Sequence, residues 1–290
     1  MRLQPRSTNM TTKNLITLAK ARDALAPQQS NRRPWDYRVG VALPHYETPE
    51  TLPVLLELLR LQTVRPYVLL IDTGSTWRTV RQVEKSRSAD CEVHYLRAHA
   101  YRHTSAPVTT AMDTAFALCR NEYLFCTHTD VFPVRRDLIE WLLSLCNAEQ
   151  PVVGYEMSPR PNTNGWRNVV SHTCTLLYMP TMRKHGITWS FERYWESGQA
   201  PPQQHGYPDT EQPFDRAIRK AGIFPYLIGH DANGVRYVDG NIDHARSWTG
   251  LKIHNRGTPE LARGYSQLHW ALQAARMRAA RWKKEDADGR

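Results

Sequence analysis

The chain has 290 residues, of which 41% are hydrophobic and 23% charged, and it carries a formal net charge of +10. This composition predicts a globular protein with one large α/β domain or two small ones. It excludes a membrane-spanning helix, because no apolar run approaches the roughly 18–20 residues that such a helix needs. The basic N-terminus lacks the continuous apolar stretch of a secretory signal, so we expect a cytoplasmic protein.

Cysteine usage agrees with an intracellular protein. The chain has five cysteines, an odd number, and their spacing matches no zinc motif. We therefore expect reduced thiols and no disulfide framework.

The positive charge lies at the two ends of the chain. Residues 1–36 carry seven Lys or Arg against two Asp or Glu, a balance of +5, and residues 259–290 carry seven against four, a balance of +3. The sequence thus predicts a basic N-terminal extension at 1–36, a central domain at 37–257, and a basic amphipathic helix at 258–290.

In chain order, the first half alternates strands and helices. Strands are predicted at 37–44, 66–75, 91–97 and 122–127, and helices at 48–64, 80–86, 107–121 and 135–147. Thr48 is the predicted N-cap of the first helix, with Pro49 at its first position. Such alternation predicts parallel pairing and a Rossmann-like, doubly wound, mainly parallel sheet.

The pattern loosens after about residue 150. Two strands are predicted at 151–157 and 171–180, and a polar, aromatic and proline-rich loop follows at 188–212. A short helix ends at Gly222, and one strand is expected to end near His244. The last helix, at 259–284, has a predicted apolar stripe of Leu261, Tyr265, Leu268 and Leu272.

The stretch "EYLFCTHTDVFP" contains a buried strand that ends in polar residues. His128 and Asp130 are two residues apart, so their side chains share a face at the strand's carboxyl end. Open α/β sheets bind their ligands at this edge.

These segments, in this order, resemble a family-2 glycosyltransferase of the GT-A type over residues 37–250. The resemblance rests on "VGVALPHYETPETLPVLLELLRLQ", "LLIDTGST", "TTAMDTAFALCRNEYLFCTHTDVFPVRRDLIEWL", "YPDTEQPFDRAIRKAGI" and "IDHARS". It implies a GT-A domain with a nucleotide-binding half at 37–150 and an acceptor half at 151–257. Two features depart from the family's pattern: its Asp-x-Asp position is His128-Thr129-Asp130, and its second acidic motif is shifted.

The resemblance implies a divalent cation that neutralises the leaving diphosphate, either Mn²⁺ or Mg²⁺. Asp130 is the expected direct ligand. His128 is a second ligand, favouring Mn²⁺, or a donor to the diphosphate, or only a hydrogen-bonding residue at a strand end. His244 is the candidate third ligand and His230 its competitor.

The resemblance also implies residues that contact the nucleotide. Asp72 would accept a hydrogen bond from the base, commonly uracil, although an Asp here also suits a turn with Gly74 and Ser75. The other candidates are Pro44, Tyr46 and Glu47 in the first turn, Asp113, His128 and Thr129 near the metal strand, and Arg97 and Arg102 for the diphosphate.

Transfer with inversion needs a general base that takes the acceptor's proton. Asp209 is the first candidate and Glu211 the alternate. Three tryptophans would stack on a sugar or base, or else pack locally: Trp166, Trp189 and Trp195.

The expected partners are a nucleotide-sugar donor, which the resemblance implies is a UDP-sugar, and an acceptor that is a glycan, a lipid-linked sugar or a hydroxylated base in DNA. The basic ends fit an anionic membrane surface or nucleic acid. The competing interpretation is a GT-A domain that has lost catalysis and binds sugar nucleotides or polyanions. A nucleotidyltransferase is disfavoured, because no glycine-rich phosphate loop follows the first strand.

Overall fold

The computed structural model describes residues 33–96, 106–157, 169–190, 210–231, 236–245 and 259–289. A 3₁₀ turn at Pro34–Asp36 precedes the first strand. The strands are Val39–His45 (β1), Tyr67–Asp72 (β2), Cys91–Tyr95 (β3), Tyr123–Thr127 (β4), Val131–Pro133 (β5), Val152–Met157 (β6), Val170–Tyr178 (β7), Tyr226–Asp231 (β8), Tyr237–Val238 (β9) and Ile242–His244 (β10). The helices are Leu52–Arg60 (α1), Trp77–Glu84 (α2), Ala106–Leu118 (α3), Leu138–Leu145 (α4), Met179–Lys184 (α5), Glu211–Lys220 (α6) and Pro259–Ala287 (α7).

Seven strands form the central sheet, in the order β3-β2-β1-β4-β7-β6-β8. The first four are parallel, β7 is antiparallel to both β4 and β6, and β8 is parallel to β6. The predicted mainly parallel α/β fold is confirmed. Strands such as β2 and β4 are buried along their whole length because helices cover both faces of the sheet.

The two faces of the sheet carry separate hydrophobic cores. One packs α1, α4 and α7 against β1, β2 and β4. The other packs α3, α5 and α6 against the opposite side of the same strands. The two cores cover the faces of the sheet, and polar side chains such as Asp72 and Asp130 lie at the carboxyl ends of its strands.

A second, three-stranded sheet has the order β5-β10-β9 and is antiparallel. The sequence predicted one strand ending near His244, but the structure has a hairpin of β9 and β10. Asp239 closes this hairpin by accepting hydrogen bonds from the backbone N–H groups of Asn241 and Ile242. The hairpin brings a late segment back to the end of β4.

The predicted start of the first helix is wrong. Helix α1 begins at Leu52, with Thr51 as its N-cap. The Thr48 hydroxyl instead shares a hydrogen bond with the Thr129 hydroxyl, with 2.9 Å between the two oxygen atoms. The residues before Leu52 are therefore used in a turn that ties the end of β1 to the end of β4.

Helix α7 packs along the domain with a stripe that differs from the predicted one. Leu268 and Leu272 are buried as predicted, but Tyr265 is 53% exposed. The buried stripe continues through small residues and a tryptophan: Ala271, Ala275, Ala279 and Trp282. Tyr265 lies at the margin of this buried stripe and faces outward. Leu261 lies among residues whose side chains are not described.

Polar contacts also hold α7. Arg278 donates from Nη1 to the carbonyl oxygen of Pro133 over 2.8 Å, and Lys283 pairs with Glu57 on α1. None of the helices in the described part of the chain combines the length and the apolarity needed to cross a bilayer.

All five cysteines lie in the described regions, and each is buried with a free thiol. Burial raises the pKa of the Cys91 and Cys146 thiols to about 12. These are the reduced cysteines that the sequence predicted.

Candidate active site

Polar side chains gather where β1, β2 and β4 end and β7 begins. The first three strands are parallel, so their carboxyl ends meet at one edge. Strand β7 runs the other way, with Thr127 paired to Cys174, so its first residues join the same edge. Ligands of open α/β sheets bind at such an edge.

His128, Asp130 and His244 form a cluster at this edge, with one potential ligand atom from each lying within 4.8 Å of the others. The distance between His244 Nε2 and Asp130 Oδ1 is 3.8 Å. The second sheet creates this proximity, because His244 pairs with Val131 in the β5–β10 ladder. The backbone N–H of Ala245 also donates to the Asp130 carbonyl oxygen over 2.9 Å.

The competing histidine, His230, lies elsewhere. It faces Glu156 across the β6–β8 ladder, with 2.7 Å between Nδ1 and Oε2, and its side chain is 70% exposed. Within the described residues, His230 is not part of the His128–Asp130–His244 cluster. The geometry therefore favours His244 over His230 as the third candidate ligand.

This cluster fits a divalent cation. Metal–ligand bonds of about 2.0–2.2 Å hold ligand atoms up to about 4.4 Å apart around one ion, so a small adjustment would suffice. Two imidazoles with one carboxylate form a mixed nitrogen and oxygen set. Such a set suits Mn²⁺ better than Mg²⁺, which prefers oxygen ligands throughout.

A fourth histidine, His172 on β7, lies beside the cluster and was missed in the sequence. Its ring centroid is 4.0 Å from that of His128, and its Nδ1 is bonded to Oε1 of Glu211. Both partners of this bond are buried. The polar "SHT" at the start of an otherwise apolar strand was the available signal, but its use required knowing that β7 is antiparallel to β4.

Glu211 and Trp189 lie in the same region. Glu211 is the first residue of α6. Trp189 is 0% exposed and stacks on Phe214 of α6, with 4.2 Å between ring centroids and 8° between ring planes. The Trp189 ring is 5.9 Å from that of His172. This placement corresponds to the local-packing alternative for Trp189.

Asp113 on α3 holds the segment that carries Trp189. Its carboxylate accepts hydrogen bonds from the Thr188 hydroxyl, at 2.8 and 2.9 Å, and from the Trp189 backbone N–H, at 2.7 Å. These hydrogen bonds hold Trp189 in place beside His172. The predicted contact of Asp113 with the nucleotide stays a prediction.

Asp72 is buried at the end of β2. One carboxylate oxygen accepts from the backbone N–H groups of Gly74 and Ser75, as the turn alternative predicts. The other lies 2.8 Å from His45 Nδ1. Burial raises the pKa of Asp72, but the hydrogen bonds from His45 and Ser75 outweigh burial, and the net pKa is below its ordinary value.

Glu47 joins the turns after β1 and β2. Its backbone has a φ of +51°, in the left-handed region. Its carboxylate accepts from the Thr79 hydroxyl over 2.7 Å and from the backbone N–H of Thr76, the N-cap of α2. A carboxylate at a helix N-terminus is favourable. Pro44 and Tyr46 flank this turn and are partly exposed.

Five predicted site residues lie outside the described residues: Arg97, Arg102, Trp166, Trp195 and Asp209. Their assignments stay predictions.

No protein-family model and no curated protein sequence matches the chain. Several solved structures do. S. aureus TarS is 17% identical over 53% of this chain and 31% of its own, with a TM-score of 0.42. The mannosyltransferase PcManGT from Pyrobaculum calidifontis, in complex with GDP-Man and Mn²⁺, is 16% identical over 94% of this chain and 87% of its own, with a TM-score of 0.46. GlyE from Streptococcus pneumoniae TIGR4 is 10% identical over 66% of this chain and 45% of its own, with a TM-score of 0.45.

The chain therefore spans 31% of one TarS structure, and it spans 53% of a second, TarS 1-349 in complex with UDP. At these identities and TM-scores, the activities of the matched proteins are not transferred to this chain. The strand order itself shows a mixed α/β fold with a mainly parallel sheet.

Proposed function

We propose that the chain is a metal-dependent glycosyltransferase that moves a hexosyl group from a UDP-sugar to an acceptor hydroxyl with inversion. The convergence of His128, Asp130 and His244 at the carboxyl edge of the sheet carries this proposal. The buried Glu211–His172 pair beside this cluster supports it, because transfer needs a proton acceptor close to the donor.

In this proposal the donor diphosphate faces the three-residue cluster, which would hold Mn²⁺ or Mg²⁺. A cation held by these three side chains would supply positive charge opposite the leaving nucleoside diphosphate. The nucleotide lies along the turn after β1 and the end of β2. Its proposed contacts are Pro44, Tyr46, Glu47, Asp72, Asp113 and Thr129, with Arg97 and Arg102 toward the diphosphate.

Glu211 is the base that the described geometry supports. It starts α6 next to His172, whose ring contacts His128. In this proposal the Glu211 carboxylate receives the proton of an acceptor hydroxyl as the oxygen attacks the sugar's C1. Asp209 is the competing base, two residues earlier.

A panel of sugar nucleotides, each mixed with pure protein and Mn²⁺ or Mg²⁺, tests this function. We expect one donor to be slowly hydrolysed and to raise the melting temperature, and we expect Asp130→Ala to abolish the hydrolysis. Donor binding that raises the melting temperature without any turnover would instead identify the binding-module alternative. If no donor and no metal changes the protein, the donor site is wrongly assigned.

For the acceptor, the outward face of α7 favours a lipid-linked sugar at an anionic membrane. Trp270 and Met277 are 62% and 74% exposed, and their spacing of seven places them on one side of the helix. Arg276, Arg281 and Lys284, also exposed, flank them. A face with a large aromatic, an exposed thioether and basic residues suits the interface of an anionic bilayer.

Co-sedimentation with phosphatidylcholine vesicles, with and without phosphatidylglycerol, tests this partner. We expect binding only to the anionic vesicles, weakened by salt and by neutralising Arg276 and Lys284 to glutamine. Neutralising Arg78 and Arg81 on α2 is the matched control and should leave binding unchanged. Salt-sensitive binding to duplex DNA without vesicle binding would instead favour the DNA-base acceptor.

A further inference from the structure

His172 contacts both a member of the three-residue cluster and the proposed base. Its ring lies 4.0 Å from the ring of His128, with 54° between their planes. Its Nδ1 forms a hydrogen bond with Glu211 Oε1. The His172 side chain is 8% exposed and that of Glu211 is 1% exposed, so water screens neither contact effectively.

We infer that His172 is a positioning residue that couples filling of the metal site to the orientation of Glu211. This inference rests on the proposed function and adds to it a residue that acts on the reaction through its neighbours His128 and Glu211. His172 is not itself among the three clustered residues. His172 acts by fixing the position of Glu211 on one side and of His128 on the other.

The packing around His172 provides a physical route for this coupling. The Trp189 ring lies 5.9 Å from the His172 ring and is itself stacked on Phe214. Close-packed side chains of this kind transmit small displacements because they have no space into which to relax. A rotation of the His128 ring toward a cation would therefore shift His172, and with it the carboxylate of Glu211.

The free-energy cost of burying His172 and Glu211 also indicates that the pair does more than stabilise the fold. Moving a histidine and a carboxylate out of water is unfavourable, and a well-packed apolar pair of similar volume is often equally stable or more stable. Stability alone thus gives little reason for a His–Glu pair at this position. The contact of His172 with His128, a member of the candidate metal cluster, gives such a reason.

Mn²⁺ alone, titrated against the full chain and followed by electron paramagnetic resonance, is the probe. Glu211→Gln is nearly isosteric and should fold, and it removes the charge that His172 faces. We expect this variant to raise the Kd for Mn²⁺ about threefold or more, approaching the about 10-fold that weakened outer-sphere partners cost elsewhere. In the His172→Phe background, which keeps a ring against His128 but cannot bond Glu211, the same change should have no effect.

That double-mutant cycle separates coupling through His172 from simple electrostatics. A direct charge effect of Glu211 on the cation would persist in the His172→Phe background, and such persistence would overturn the inference. His172→Asn gives the complementary test. It keeps an N–H near Glu211 but loses the ring, and we expect its Kd for Mn²⁺ to rise. His185→Asn and His185→Phe, at an exposed position after α5, are the matched controls.

The outcomes also distinguish this inference from the proposed function. If Mn²⁺ binds the wild type and Asp130→Ala abolishes that binding, the metal site stands. An unchanged Kd in both Glu211→Gln and His172→Asn would then refute the coupling alone. If the wild type binds no Mn²⁺, the metal site and the coupling fail together.

Discussion

Asp130 and His244 lie side by side at the end of the β5–β10 ladder, with 3.8 Å between Oδ1 and Nε2. Both side chains are buried. The pairing of His244 with Val131, and the hydrogen bond from Ala245 to Asp130, fix this approach through backbone geometry. The position of the candidate ligand His244 thus depends on the short antiparallel sheet and not on the large, mainly parallel one.

The first prediction follows from that relationship. Asp130→Ala and His244→Ala should each raise the Kd for Mn²⁺ by more than about 100-fold, because loss of even an outer-sphere partner costs about 10–100-fold. His230→Ala should leave the Kd unchanged, since His230 pairs with Glu156 away from the cluster. Isothermal titration calorimetry measures all three. A loss of Mn²⁺ binding in His230→Ala but not in His244→Ala would reverse the assignment.

A second prediction concerns the base. Glu211→Gln should lower kcat for donor turnover by about 10²- to 10⁴-fold, the usual contribution of a general base, with KM for the donor little changed. Asp209→Asn, an equally conservative change two residues earlier, should cost no more than a few-fold. Steady-state kinetics on the donor found in the panel measures both, and the opposite order of effects would make Asp209 the base.

Trp189 gives a stability prediction. It is fully buried on Phe214, so Trp189→Ala should lower the free energy of unfolding by about 3–5 kcal/mol. Trp270→Ala removes an equally large but exposed side chain and should change the free energy of unfolding by less than about 0.5 kcal/mol. Urea unfolding followed by circular dichroism compares the two. Similar losses in both variants would contradict the buried placement of Trp189.

The Asp72–His45 pair predicts a dependence of stability on pH. The pKa of Asp72 is lowered in the folded state, so the carboxylate contributes stability above the unfolded value of about 3.9. That contribution is lost as the pH falls through the lower, folded value. Asp72→Asn should therefore melt below the wild type at pH 7, and the difference should shrink at acid pH.

Differential scanning calorimetry from neutral to acid pH measures this difference. Glu149→Gln, at an exposed position, is the control and should track the wild type throughout. A gap between Asp72→Asn and the wild type that stays constant with pH would mean that the charge on Asp72 does not stabilise the fold.

The first half of the fold was predictable because its signals are local. Buried strands such as Tyr67–Asp72 are continuous apolar runs, and the helices between them have one apolar face. The positions of His128 and Asp130 at a strand end followed from the same pattern. Gly222, with a φ of +75° just after α6, also follows from a local rule, because a left-handed residue after a helix favours glycine.

The rest depended on contacts between distant segments. Strands of two or three residues, such as Tyr237–Val238 and Ile242–His244, are too short to show a period. His172 became part of the site only through the antiparallel pairing of β7 with β4. The start of α1 shifted because Thr48 bonds Thr129 across two strand ends, which no local propensity encodes.

The strand order has a consequence for how the polypeptide can be divided and synthesised. Strand β4 has β1 on one side and β7 on the other, and β7 is made later in translation. A fragment that stops at residue 150 would leave the Tyr123–Thr127 edge unpaired, and exposed apolar edges template aggregation. We expect such a fragment to be recovered mainly in inclusion bodies, and a nascent chain to need shielding of that edge until residue 178 has left the ribosome.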